Sequence, residues 1–113
     1  MKLTSKETDH FTIISIEGNI TLEEAGTIKA FIEPLIKALE IKGIIINAAN
    51  VEHIDSSGLG LIVSIYKTLT KFNKKFALSE MSSKTMEIFV LTRLNEKLVI
   101  VDSDDLAINQ LNQ

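Results

Sequence analysis

The segment Ile54-Asp55-Ser56-Ser57-Gly58-Leu59-Gly60 is the most informative stretch of the chain. It brings a carboxylate, two hydroxyls and two glycines to the start of a helical pattern. Asp55 is placed to cap that helix, which puts Ser56, Ser57 and Gly58 in its first turn, where backbone N–H groups lack intrahelical partners. Such a turn favours negative charge by about 0.3–1 kcal/mol at an exposed site. Glycine within a helix is unfavourable by about 1 kcal/mol, so Gly58 and Gly60 need a reason. Two remain open: another backbone or group approaches closely, or the glycines serve the packing of a capped helix on a sheet.

Enzymatic readings of this loop fail on inspection. No Gly-Lys-Ser/Thr closes it, so it is not a phosphate-binding P-loop. Gly58-Leu59-Gly60 leads to Val63 where a dinucleotide fingerprint needs a third small residue. No glycine lies two residues before either serine, as a nucleophile elbow requires. A serine hydrolase also needs a base; His10 falls in an expected turn, and His53, two residues before Asp55, is a weak candidate better read as loop packing. Asp102-Ser103-Asp104-Asp105 resembles the start of a calcium loop but has Ala107 in place of the sixth-position glycine and Gln113 in place of the closing glutamate, so helix capping is the better reading. Glu23-Glu24 is a charged first helical turn. Lys71, Lys74 and Lys75 read as a solvated loop end, and Met86 and Phe89 as core.

Composition narrows the classes further. The 113 residues suit one domain. There are no cysteines, which removes disulfides, thiolate metal sites and cysteine nucleophiles. With 45% apolar and 24% charged residues, the chain has the balance of a globular protein. A net charge of −3 argues against a broad basic face for nucleic acid. No apolar run approaches the roughly 20 residues of a membrane span, and Met1 to His10 is polar, so a cytoplasmic protein is expected. In that compartment the sequon Asn19-Ile20-Thr21 has no meaning.

The elements that must position the loop follow from periodicity. Lys2–Glu7 reads as an edge strand, Thr8-Asp9-His10 as a turn, and Phe11–Glu17 as a strand ended by Gly18. Leu22–Glu40 is helical, with Ala25, Ile28, Phe31, Ile32, Leu35, Ile36 and Leu39 on one arc. Thr21 and Glu24 have the spacing of a capping box. Pro34 predicts a kink or interruption between Ala30 and Pro34. Ile44-Ile45-Ile46 is a continuous apolar run, the mark of a strand covered on both faces. Asn47–Asp55 reads as loop and Ser56–Asn73 as a helix. The apolar stripe of that helix exceeds half its circumference, so it is either deeply buried or meets a partner at one edge. Lys75–Glu80 is a further strand. A helix follows from Ser82 or Ser83 through Leu94, with Met86, Phe89 and Val90 facing in. Leu98–Val101 is the last strand, and Leu106, Ile108 and Leu111 mark a closing helix. The order ββαβαβαβα predicts an α/β fold: a single mixed, mostly parallel sheet with an N-terminal antiparallel hairpin and about four helices.

With these residues in place, the chain resembles a STAS domain, specifically the small stand-alone anti-sigma factor antagonists. The resemblance covers nearly all of residues 1–113 as a single domain. Its strongest part is Ile54–Gly60 followed by the helix Leu61–Leu69, with Ile44-Ile45-Ile46-Asn47 at the family's distance upstream and Ser82–Leu94 matching the later helix. Asn47 stands where an acidic residue is common, Thr21 replaces an acidic residue near the switch, and Arg93 stands where glycine is common.

The resemblance implies that Ser57, just before the first glycine of the motif, is the phosphoacceptor. It implies a partner that is an anti-sigma factor serine kinase with a histidine-kinase-like ATPase fold, and a metal-dependent serine phosphatase that removes the phosphate. The unphosphorylated domain captures the kinase and releases what the kinase held; phosphorylation blocks capture. Thr21, His53, Asp55, Ser56, Ser57, Gly58, Leu59 and Leu61 are the expected partner-binding residues. No catalysis, cofactor, metal, nucleic acid or direct membrane insertion is implied. The alternative is a STAS adaptor subunit of an ABC-type lipid transport complex, or another structural interaction module, in which phosphorylation plays no part. Retention of Ser57 in a complete Asp-Ser-Ser-Gly motif favours the first reading.

Overall fold

The computed structural model describes Met1–Gln113. Its sheet has the expected mixed character, with one strand more than the periodicity predicts. The strands are β1 (Lys2–Thr8), β2 (Phe11–Ile20), β3 (Gly43–Asn47), β4 (Val51–Ile54), β5 (Lys75–Ser79) and β6 (Val99–Val101). The helices are α1 (Leu22–Ile36), α2 (Ser56–Lys71), α3 (Ser83–Leu91) and α4 (Asp104–Leu111). β1 is antiparallel to β2; the pairs β2–β3, β3–β5 and β5–β6 are parallel, in the order β1-β2-β3-β5-β6.

The apolar run in β3 conceals a strict alternation, because both faces of the sheet are covered. Ile44 and Ile46 join the larger core with Ile14 and Ile16 of β2, Phe76 and Leu78 of β5, and the buried faces of α1 and α2. Ile45 points the other way, into a smaller core with Phe11, Ile13, Ala77, Ala107 and Leu111, which α4 closes.

The added strand lies inside Asn47–Asp55, which reads as a loop in sequence. Gly18–Ile20, the end of β2, continues past β3 and pairs in parallel with Val51–Ile54. The register shifts between Gly18 and Asn19. Gly18 has φ +123°, a conformation open to glycine and strained for other residues. The four residues Val51–Ile54 are too short to show a strand period; their pairing partner, not their own pattern, makes them a strand.

Helix α1 departs from the expected course in three ways. It runs without interruption through Ala30–Pro34 and ends at Ile36, four residues short of Glu40. Pro34 is exposed and lies in the final turn, where the chain forgoes one hydrogen bond and still completes the helix. Lys74 closes the end instead: its Nζ donates to the Ile36 and Ala38 carbonyls at 2.5 and 2.6 Å. Lys75 Nζ donates likewise to the carbonyl of Leu111 at the end of α4. These two lysines of the supposed solvated turn are therefore helix C-terminal partners, where cations satisfy orphan carbonyls and complement the helix dipole. The third departure is the start of α1, described below.

Helix α3 ends at Leu91, not Leu94. The chain turns through Arg93 at φ +61°, and a 3-10 turn follows at Leu94–Glu96. Within α3, Phe89 is buried and Met86 half-buried, while Val90 is 51% exposed rather than facing in. The wide stripe of α2 resolves into a deeply buried face, Leu59, Leu61, Ile62, Ile65 and Leu69, with Tyr66 at its edge against Phe76 and Phe72 half-exposed beyond the helix end.

Candidate phosphorylation and partner-binding site

The carboxyl ends of β2 and β4 carry the site. Ile20 pairs with Ile54, so the next residue on each strand, Thr21 and Asp55, begins the approach to a helix side by side. Asn19 pairs with His53. Open α/β sheets place their sites at such strand ends.

Asp55 caps α2, as its position in sequence suggests. Its Oδ1 accepts a hydrogen bond from the Gly58 amide at 2.8 Å. The other oxygen does something sequence reasoning misses: Oδ2 accepts from the amide of Leu22, the first residue of α1, at 3.1 Å. Thr21 occupies the N-cap position of α1 in extended conformation, yet its side chain makes no capping bond. The Thr21–Glu24 capping box is thus absent, and a carboxylate 33 residues away satisfies a different orphan amide of the first turn, that of Leu22. The Glu24 amide, which the Thr21 hydroxyl would serve in a capping box, bonds the Thr21 carbonyl instead. The amides of Gly58 and Leu22 hold the Asp55 carboxyl below its ordinary value, against the opposing effect of its partial desolvation.

Gly58 settles the question of the glycines at one position. A Cβ there would sit 1.7 Å from the Ile20 carbonyl oxygen. The first turn of α2 therefore rests directly on the backbone at the end of β2, and the Asp55 amide donates to that same carbonyl at 3.3 Å. Gly60 has open space where its Cβ would be.

Ser57 lies between Asp55 and Gly58 and is half-buried; Ser56 is exposed. The side-chain hydrogen bonds of this loop are those of Asp55, and neither serine hydroxyl takes part. The Ser57 hydroxyl is held on a fixed backbone without being tied down. His53 is exposed on β4 and Thr21 is half-buried. Thr21, His53, Ser56 and Ser57 are thus gathered at one end of the sheet around Asp55. Leu59 and Leu61 are not part of that surface: each is 9% exposed and packs into the larger core.

A second polar group lies at the ends of β3 and β5. Asn47 Nδ2 donates to Glu80 Oε2 at 2.7 Å and to Asp104 Oδ1 at 3.0 Å, and Ser79 Oγ donates to the same Asp104 oxygen. Ser103, in the acidic segment, caps α4 by accepting from the Leu106 amide at 3.1 Å.

The sequence matches the family model described as STAS domain over residues 2–107. An anti-sigma-B factor antagonist of Listeria monocytogenes is 29% identical over 107 aligned residues, covering 88% of this chain and 86% of that protein. Among solved structures, a candidate anti-sigma factor antagonist of Thermotoga maritima has a TM-score of 0.91 at 25% identity, covering 98% of this chain and 95% of that one. A Bacillus cell-fate determinant in its phosphorylated form shares the fold, with a TM-score of 0.73 at 21% identity over 96% of this chain and 98% of that one. With its hairpin-led sheet and its Asp-Ser-Ser-Gly turn inside a match that spans almost the whole sequence, the chain belongs to the STAS domain family.

Proposed function

We propose that this chain is an anti-sigma factor antagonist that works by partner switching, with Ser57 as its phosphoacceptor. The observation that carries the reading is the free Ser57 hydroxyl in the first turn of a helix whose backbone is anchored on both sides, by Asp55 and by the contact of Gly58 with Ile20. The similarity to the Listeria antagonist supports an anti-sigma factor as the partner class, and the resemblance to the family implies one with serine kinase activity and a histidine-kinase-like ATPase fold. A metal-dependent serine phosphatase returns the domain to its binding form. Both reactions belong to a cytoplasmic compartment, where ATP is available. The domain itself is a binding module.

In the phosphorylation step the Ser57 Oγ attacks the γ-phosphorus of ATP. The new O–P bond forms as the bond to the β-phosphate oxygen breaks, ADP leaves, and the hydroxyl proton passes to a base of the kinase or to solvent. The product carries about 1.5–2 additional negative charges and three strong acceptor oxygens. A helix N-terminus tolerates such a group, because its free N–H groups can bind it. The penalty falls on the complex, where the kinase must present its own nucleotide phosphates to the same turn. A desolvated like-charge contact costs several kcal/mol, on the order of a hundredfold or more in affinity.

The test is incubation with the kinase and ATP, followed by intact mass and affinity measurements. Ser57→Ala is expected to abolish phosphorylation and bind constitutively. Ser57→Asp is expected to bind weakly with near wild-type melting. Ser56→Ala is expected to accept phosphate still. Phosphate on the Ser57→Ala protein, or equal affinity of the phosphorylated and unmodified protein, refutes the reading. Capture of a transporter ATPase in place of a kinase in a pull-down favours the adaptor role.

A further inference from the structure

We infer that Asp55 is a positioning residue that makes the start of α1 respond to the state of Ser57; this rests on Ser57 being the modified residue. Two helices share one carboxylate. Oδ1 holds Gly58 of α2 and Oδ2 holds Leu22 of α1. The amides of Glu24 and Ala25 reach the Thr21 carbonyl, so the Leu22 amide is the one that depends on Asp55. Thr21 at the N-cap makes no side-chain capping bond, so Asp55 is the side chain that holds the start of α1.

A phosphate on Ser57 enters this arrangement as a competitor. It is two residues from Asp55 in sequence and draws on the same orphan amides at the start of α2. The two anions also repel each other. The carboxylate that yields at α2, or swings away from the phosphate, gives up its geometry at Leu22 as well. The first turn of α1 then frays. Leu22 is 71% exposed at the same end of the sheet as Ser57. A partner docking there meets two changes, a new charge on α2 and a loosened apolar residue on α1. Phosphorylation is thereby read over a wider surface than the phosphate itself covers, with the strands and the core left in place.

The coupling is testable without any kinase, by amide hydrogen exchange at Leu22 and Gly58 measured residue by residue. Ser57→Asp is expected to speed Leu22 exchange roughly fivefold, the equivalent of one N-cap hydrogen bond, while β3 and β5 amides stay as in wild type. Thr21→Ala is expected to leave Leu22 unchanged. Asp55→Asn retains a single acceptor oxygen and is expected to deprotect Leu22 or Gly58 by itself. In that background, adding Ser57→Asp is expected to produce no further change at Leu22, a non-additivity that a purely structural role of Asp55 does not create. Unaltered Leu22 exchange in Ser57→Asp overturns the inference, as does the same acceleration with and without the Asp55 carboxylate. Either failure leaves the kinase assay of Ser57 untouched, whereas a Ser57 that no kinase modifies leaves the exchange coupling intact.

Discussion

The contact between Gly58 and Ile20 makes the sharpest prediction about how this loop is held. A Cβ on residue 58 would lie 1.7 Å from the Ile20 carbonyl oxygen and 2.6 Å from its carbonyl carbon. Ordinary contact begins at 3.4 Å, so helix and strand must separate by about 1.7 Å along that line. Neither side can give cheaply. The Ile20 carbonyl already accepts from the Asp55 amide, and Ile20 itself is 1% exposed in the larger core. Moving α2 away together with its cap stretches the bond from the Leu22 amide to Asp55 Oδ2 and the bond from the Asp55 amide to the Ile20 carbonyl. Gly58→Ala is therefore expected to destabilise the fold by about 3 kcal/mol, the upper end of the usual cost of overpacking, lowering the melting temperature by roughly 10 °C or more. Gly60→Ala is the control two residues away. It meets open space, so helix propensity alone decides, and a gain of about 0.8–1 kcal/mol is expected. Urea denaturation of the two variants beside wild type measures both. Equal midpoints for Gly58→Ala and wild type refute the account of the anchored turn.

Three further outcomes follow from single positions. Arg93→Gly is expected to stabilise by about 1 kcal/mol in thermal melts, because Arg93 holds φ +61°, where an L side chain is disfavoured. Asn47→Asp is expected to destabilise at neutral pH by about 1–3 kcal/mol, since it replaces the donor shared by Glu80 and Asp104 with a third carboxylate; acid should relieve the effect, and a pH series of urea midpoints shows whether it does. The Asp55 carboxyl is held below its ordinary value of 3.8, so its contribution to stability is fully present above that pH and is lost as pH falls through the lower folded value; the Asp55→Asn protein should lack this acid-side loss in the same series.

The parts of the fold that sequence makes legible are those whose signal is local. The isoleucine run in β3 announces a strand covered on both faces, and α2 announces itself by a cap and a periodic stripe. What escapes is held by distant partners. Val51–Ile54 becomes a strand because β2 overruns β3 and offers a free edge. Helix α1 ends where Lys74, from a turn 38 residues further on, reaches the Ile36 carbonyl. Its first amide is held from Asp55, and a good local pattern at Thr21 and Glu24 goes unused. Within the site, Asp55, Ser56 and Ser57 stand out by type and order. That Leu59 and Leu61 serve the core rather than the surface depends on which way α2 faces, and the wide apolar stripe leaves that direction open. The family's preference for glycine at position 93 also gains a physical basis, the left-handed backbone that Arg93 is made to adopt.

The same dependence on distant partners bears on how a small domain can be switched without being unfolded. The two cores lie on the strands and on the inward faces of α1, α2, α3 and α4, whereas Asp55, Ser57 and Leu22 lie where helices begin. A change confined to helix starts alters capping, worth about 1 kcal/mol per bond, and leaves the burial that dominates stability in place. Net charge moves from −3 towards roughly −5 on phosphorylation, a change that solvent readily accommodates in the free domain. The proposed kinase partner would exclude that solvent on docking, and the same charge would then sit against its nucleotide phosphates in a low-dielectric contact. In the switch proposed for Ser57, the difference between those two environments, rather than any rearrangement of the sheet, decides between binding and release.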